Sequence, residues 1–99
     1  MFVSSVRARI SKDPAGAVAW AQGIAKVVQK KTGVEVQTLA RVGGTQDIVW
    51  LQQFPSLAAY EKSMEQVQSD TEYWAYIKDA EAKGFFDTPN VEAGIWREI

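Results

Sequence analysis

The stretch from residue 48 to residue 60 constrains the fold of this chain more than any other. It reads Ile-Val-Trp-Leu-Gln-Gln-Phe-Pro-Ser-Leu-Ala-Ala-Tyr, and its first half is dense in β-branched and aromatic residues, which favour a strand. Pro55 ends that strand because proline has no N–H to donate to a neighbouring strand, and Ser56 is a suitable N-cap. Apolar residues then recur at helical spacing, at Leu57, Tyr60, Met64 and Val67. We therefore expect a buried strand that leads directly into an amphipathic helix.

Two further segments alternate in the manner of half-buried strands. Residues 2–10 place one set of side chains toward a helical layer and the opposite set, Val3, Ser5, Arg7 and Arg9, on the other face. Residues 34–42 alternate as well, and the turn residues at 43–47 predict an antiparallel hairpin with residues 48–54. A last alternating segment covers residues 91–99.

Helix boundary signals fill the gaps between these strands. Asp13-Pro14 predicts a helix start, and Gly33 follows the end of that helix, which runs to about Lys31. Asp70 predicts the start of a second segment after the Ser56 helix, with its end at Gly84. The order is that of one ferredoxin-like α+β domain over residues 1–99, βαββαβ, with a four-stranded antiparallel sheet and helices on one face.

Composition excludes several classes of function. The chain has no cysteine and no histidine, so it lacks the usual thiolate nucleophile and the commonest general base and metal ligand. We expect neither a metal nor another cofactor. The net charge is −1 with no basic run, which argues against nucleic-acid binding. No apolar run approaches the ~20 residues of a membrane helix, and the first residues do not resemble a signal peptide, so a cytoplasmic protein is expected.

The face of the sheet away from the helices is predicted to be mixed rather than polar. If Val49 and Leu51 face the helices, then Trp50, Gln52 and Phe54 lie on the open face. Large rings in water are unfavourable, so we expect a second copy of the sheet to cover them and to enclose a cavity in a homodimer. The candidate ligand-binding residues are Arg7, Arg9, Gln37, Trp50, Gln52, Phe54, Tyr73 and Trp96.

Each of these groups has a structural alternative. Arg7 and Arg9 could hold a carboxylate, enolate or phenolate oxygen, or they could pair with glutamates on neighbouring strands, at Glu35, Glu92 or Glu98. The rings and the amide of residues 50–54 could orient a ring-shaped ligand or pack a dimer interface. The phenol of Tyr73 could act at the mouth of a cavity or pack between helices.

The segment from Trp50 to Tyr60, together with the order of elements, resembles the dimeric α+β-barrel superfamily. Its members include cofactor-independent antibiotic-biosynthesis monooxygenases and NIPSNAP-like proteins. The resemblance rests on an amide or acidic residue, an aromatic, a helix cap, an alanine and a second aromatic, at Gln52, Phe54, Ser56, Ala59 and Tyr60. It implies two sheets packed face to face. Gln52 stands where a carboxylate is common, and the histidines of haem-degrading members are absent here.

Three hypotheses follow from the sequence. The chain forms a homodimeric barrel that binds a small, aromatic or polyketide-like molecule. Alternatively, it is a cofactor-free monooxygenase in which a carbanion of the substrate reduces oxygen, so that the protein only deprotonates and orients that substrate. The third is a structural or regulatory subunit whose buried sheet face serves only assembly.

Overall fold

The computed structural model describes all 99 residues, and it contains four strands, three α-helices and one 3₁₀ turn at Thr88–Asn90. The strands are β1 (Phe2–Arg9), β2 (Gln37–Ala40), β3 (Asp47–Phe54) and β4 (Glu92–Arg97). The helices are α1 (Pro14–Thr32), α2 (Leu57–Gln68) and α3 (Thr71–Lys83). The predicted division of the second helical region into two segments at Asp70 is confirmed.

The four strands form one antiparallel sheet in the order β2-β3-β1-β4, with the helices on one face. This topology confirms the predicted ferredoxin-like α+β fold. The β2 strand is shorter than the predicted 34–42, because pairing with β3 extends only from Gln37 to Ala40. None of the three helices is long and apolar enough to span a bilayer.

The three helix starts predicted from the sequence are confirmed by their capping hydrogen bonds. The side chain of Asp13 accepts a hydrogen bond from the N–H of Gly16 at 3.2 Å, and Ser56 accepts one from Ala59 at 3.1 Å. Asp70 accepts one from the N–H of Tyr73 at 2.8 Å. Such caps satisfy N–H groups of the first turn that have no partner inside the helix, so these boundaries are set locally.

The predicted orientation of β3 is wrong. Its register with β1 places Trp50 opposite Val6 and Phe54 opposite Phe2, so the even-numbered residues of both strands face the helices. Trp50, Gln52 and Phe54 therefore belong to the helical side, while Val49 and Leu51 lie on the open face. The four residues from 48 to 51 are all apolar, and alternation cannot orient such a run. Pairing with β1, whose Arg7 and Arg9 mark its open face, decides the orientation.

Small residues allow α1 to lie close to the sheet. Ala17 and Ala21 have no exposed surface, and Ile24, Ala25 and Val27 are also buried. The largest side chains that are fully buried are Phe54 and Ile48 of β3. The ring of Phe54 meets Tyr60 of α2 edge to face at 5.5 Å. The core thus lies between β3, α1 and α2.

Candidate functional site

A cavity of about 150 Å³ lies between the sheet and the three helices, and we call it the inner cavity. Its floor is formed by Val6 of β1 with Trp50 and Gln52 of β3. The helix α1 contributes Trp20, Ile24, Ala25 and Val28. The helices α2 and α3 contribute Met64, Val67, Tyr73 and Ile77, and Val36 completes the lining. The cavity is therefore built from every layer of the domain.

Two tryptophans form rigid aromatic walls of the inner cavity. Their rings meet edge to face, with centroids 6.2 Å apart and planes at 88°. The indole N–H of Trp20 donates to the carbonyl oxygen of Tyr76 at 2.9 Å, and that of Trp50 donates to the carbonyl oxygen of Ala21 at 3.1 Å. Both indole donors are therefore satisfied by helix backbone, and each ring is held in one orientation.

Gln52 is the one polar side chain among eleven hydrophobic ones in this lining. Its Nε2 atom is buried and has no hydrogen-bond partner in the protein. Buried polar groups are nearly always paired, and an unmade bond of this kind costs about 1–3 kcal/mol. The amide of Gln52 therefore enters the lining without a partner in the protein, and a small turn of its side chain would bring this donor to a molecule inside the inner cavity.

Tyr73 brings a phenol to the same cavity from the first turn of α3. Burial raises the pKa of this phenol above its ordinary value. Just before it, Asp70 binds the Nζ atom of Lys31 at 3.2 Å, and Glu72 binds the same atom at 3.4 Å. This charge cluster joins the end of α1 to the start of α3.

The ionisation of this charge cluster is shifted by its contacts. The pKa of Asp70 is lowered first by the hydrogen bond that its carboxylate accepts from the N–H of Tyr73, and then by the nearby Lys31 ammonium. The hydrogen bond and charge of Asp70, followed by those of Glu72, raise the pKa of Lys31. Both shifts favour the charged forms, so the ion pairs that join α1 to the first turn of α3 are present at neutral pH.

The arginines predicted as a ligand fork lie on the open face, where they surround a buried carboxylate. Asp47 has only 4% of its side chain exposed, and it lies 3.5 Å from Arg9 Nε and 3.4 Å from Arg41 Nη1. Arg7 lies 3.9 Å from Asp47 and 3.1 Å from Glu92. Pairing across the sheet therefore occurs, with Glu92 as one of the expected partners.

Asp47 was not predicted, because it follows Gly43-Gly44 in what reads as a turn. It is in fact the first residue of β3 and lies directly opposite Arg9 of β1. The register of β3 with β1 reveals this pair, and cross-strand neighbours of opposite charge attract each other. The pairing of β3 with β1, rather than the sequence around Asp47, indicates the role of this residue.

The remaining candidates also lie outside the inner cavity. Trp96 of β4 lies on the open face with 65% of its surface exposed, and its indole N–H donates to Ser5 Oγ at 2.9 Å. Gln37 lines a depression of about 210 Å³ on the same face, together with Val3, Val34, Glu35, Leu51 and Gln53. Of the eight predicted residues, the inner cavity brings together Trp50, Gln52 and Tyr73.

Comparison with known proteins shows similarity in structure but not in sequence. No protein-family model matches the chain, and a search of curated proteins finds no relative. A NIPSNAP domain protein from Burkholderia xenovorans superposes with a TM-score of 0.80 at 12% identity, over 100% of this chain and 95% of that one. A NIPSNAP family protein from Agrobacterium tumefaciens gives 0.79 at 12%, over 99% and 92%.

The cofactor-independent oxygenase SnoaB from Streptomyces nogalater is also similar, with a TM-score of 0.73 at 11% identity over 99% of this chain and 92% of SnoaB. This chain has the same fold as these three proteins. At such identities the comparison establishes architecture alone, because one fold hosts many activities. It confirms the structural side of the resemblance seen in residues 50–60, and the function has to be argued from the site.

Proposed function

We propose that this protein binds a small, aromatic molecule in the inner cavity, and that it works as a homodimer whose subunits meet through their open sheet faces. The observation that carries the binding proposal is the unpaired Nε2 of Gln52 inside an otherwise apolar, aromatic lining. Ligand sites commonly combine apolar walls with a few placed polar groups. This location replaces the sheet-to-sheet cavity expected from the sequence.

The volume of the inner cavity supports a role in binding. Protein interiors are close-packed, so a space of about 150 Å³ among core side chains is unusual. The cavity is partly open to solvent, and its lining is almost wholly apolar. A ligand that fills it would remove this apolar surface from water, which is favourable.

The depression on the open face is a weaker candidate. Its lining is half polar, with Glu35, Gln37 and Gln53 directed toward solvent from the sheet. Such amides and carboxylates are well hydrated without a ligand, so nothing in the depression requires a partner molecule. Its apolar members, Val3 and Leu51, are better explained as part of a surface that a second subunit covers.

Exposed apolar groups support the homodimer. Trp96 is 65% exposed and Leu39 is 42% exposed, and both lie on the open face with Val3, Val49 and Leu51. Covering such a ring removes about 150–250 Å² from water. A second copy of the sheet would cover all of these groups by a two-fold contact, which is the commonest arrangement in homo-oligomers.

A second candidate function is that of a cofactor-free oxygenase. It is favoured by the phenol of Tyr73, whose pKa is raised by burial, and by the amide of Gln52 in the same lining. These two groups could hold the oxygen atom of a ring substrate while its own carbanion reacts. Oxygen uptake with candidate ligands distinguishes turnover from simple binding, and Tyr73→Phe should abolish turnover while leaving binding within about tenfold.

The binding proposal is tested by filling the cavity. Ala25 lines the inner cavity from α1, whereas Ala19 is exposed on the same helix. A fragment library screened by ligand-observed NMR should give hits on the wild type and on Ala19→Leu that are lost on Ala25→Leu. Hits that bind all three proteins equally would place the ligand elsewhere and contradict the proposal.

A further inference from the structure

The inner cavity has room for one ring. A dry cavity of 150 Å³ in another protein is known to hold benzene, and the inner cavity has about this volume. A second fused ring would exceed this volume, so it would have to displace the lining or project through the open side of the cavity. The rings of Trp20 and Trp50 are each fixed by a hydrogen bond to helix backbone, at 2.9 and 3.1 Å, so these walls resist displacement.

The lining is suited to an uncharged molecule. Eleven of its twelve side chains are hydrophobic, and the twelfth is the amide of Gln52. An ion transferred into such surroundings loses its hydration without gaining a counter-charge. Next to Tyr73 in the sequence, the charges of Asp70 and Glu72 are both paired with Lys31. They are therefore not free to neutralise a charged ligand.

Besides the phenol of Tyr73, one polar group of the lining is open to the ligand. The indole donors of both tryptophans are already used by the carbonyl oxygens of Tyr76 and Ala21. The amide of Gln52 has no partner in the protein, and its Nε2 is buried. An amide offers a donor and an acceptor on one planar group, so a hydroxyl or carbonyl oxygen on the ligand can pair with it.

From these three features we infer that the inner cavity takes an uncharged, single-ring molecule with one hydroxyl or carbonyl group held by the Gln52 amide. This inference rests on the proposed function and narrows its ligand to a chemical class. Multi-ring compounds are disfavoured because the volume matches one ring, and carboxylates are disfavoured because the lining carries no charge. Specificity then resides in Gln52, and the aromatic walls supply most of the affinity.

Calorimetric titration with four probes tests the inference. On the wild type, p-cresol should bind about five- to tenfold more tightly than toluene, which is the effect of one neutral hydrogen bond. Benzoate and 2-naphthol should bind at least about tenfold more weakly than p-cresol. In Gln52→Met, which conserves volume, p-cresol should fall to the affinity of toluene, and toluene should change by less than about twofold.

The wild-type comparisons need no variant, so they remain decisive even if Gln52→Met folds poorly. If benzoate or 2-naphthol binds as tightly as p-cresol, and Ala25→Leu blocks that binding, the inferred ligand class is overturned while the proposed function stands. Equal affinity for p-cresol and toluene on the wild type would overturn the role of Gln52. If none of the four probes shows binding that is lost in Ala25→Leu, both the inference and the proposed function are overturned.

Discussion

The indole N–H of Trp50 donates a hydrogen bond to the carbonyl oxygen of Ala21 at 3.1 Å, which joins the centre of β3 to the buried face of α1. The same ring packs edge to face against Trp20 and Phe86. Trp50 is therefore a link between the sheet and the helical layer, although the sequence predicted that it would lie between two sheets.

The first prediction concerns the stability of the monomer. Trp50→Asp removes the link between β3 and α1 and introduces a carboxylate among apolar groups, so the free energy of unfolding should fall by at least about 3 kcal/mol. Trp96→Asp is the matched control, because Trp96 is largely exposed and should change the stability of the subunit by less than about 1 kcal/mol. Urea denaturation measures both, at a protein concentration low enough for the wild type to be a monomer, so that loss of a dimer contact does not enter the comparison. A Trp50→Asp protein with the wild-type midpoint would refute the orientation of β3.

The second prediction concerns assembly. Trp96 is exposed on the open face, and a charge at this position would have to be desolvated in a sheet-to-sheet contact. Trp96→Asp should therefore sediment as a monomer at concentrations where the wild type is a dimer. Trp74→Asp provides the control, because Trp74 is exposed on α3, on the helical side of the sheet. Its indole N–H donates to the carbonyl oxygen of Gln68. Dissociation of both variants, or of neither, would contradict an interface at the open face.

The third prediction concerns pH. Because the folded state lowers the pKa of Asp70 below its ordinary 3.8, its stabilising effect is complete above that value and is lost as the pH falls through the lowered pKa. Lys31 behaves in the opposite sense, since its pKa is raised above 10.5 and its contribution is lost as the pH rises through that raised value.

Asp70→Asn tests this pH dependence because asparagine can still cap α3 but cannot pair with Lys31. The variant should be less stable than the wild type at pH 7, and the difference should shrink as the solution becomes acidic. Thermal unfolding across the acid range measures it. Asp79→Asn is the control, since it removes a surface charge that pairs with Lys83 on the same helix. A difference between Asp70→Asn and wild type that stays constant with pH would contradict the assigned ion pair.

Features set by local sequence were predictable in this protein. The helix caps at Asp13, Ser56 and Asp70 each depend on one side chain and an N–H three residues further along the chain. The orientation of β1 was also predictable, because Arg7 and Arg9 mark its solvent side. These signals lead to the order of elements and hence to the fold.

The features that decide the site depend on contacts between distant segments. The orientation of β3 follows from its register with β1, since its apolar run has no polar residue to mark a face. Asp47 gains its significance only when Arg9 lies opposite to it. The inner cavity is a space that three helices leave above the sheet, so residues such as Ala25 and Val36 read as ordinary core positions in the sequence.

The last prediction concerns the carboxylate of Asp47, which lies within 4 Å of Arg7, Arg9 and Arg41 and accepts a hydrogen bond from Thr45 at 3.1 Å. Asp47→Asn leaves three guanidinium groups close together without the charge that holds them. The arginines are partly exposed, so we expect a loss of about 1–3 kcal/mol rather than the larger cost of a fully buried pair. The loss should be smaller in 1 M NaCl, because salt screens the repulsion between the arginines.

Glu92→Gln separates this role of Asp47 from a general effect of charge on the open face. Glu92 pairs with Arg7 at 3.1 Å, but its side chain is 72% exposed, so its removal should cost less than about 1 kcal/mol. Guanidinium denaturation would itself screen these charges, so urea is the suitable denaturant for the comparison. If Glu92→Gln were as destabilising as Asp47→Asn, burial of Asp47 would not be what distinguishes the two carboxylates. An Asp47→Asn loss that does not depend on salt would show instead that lost hydrogen bonds, not arginine repulsion, dominate at this position.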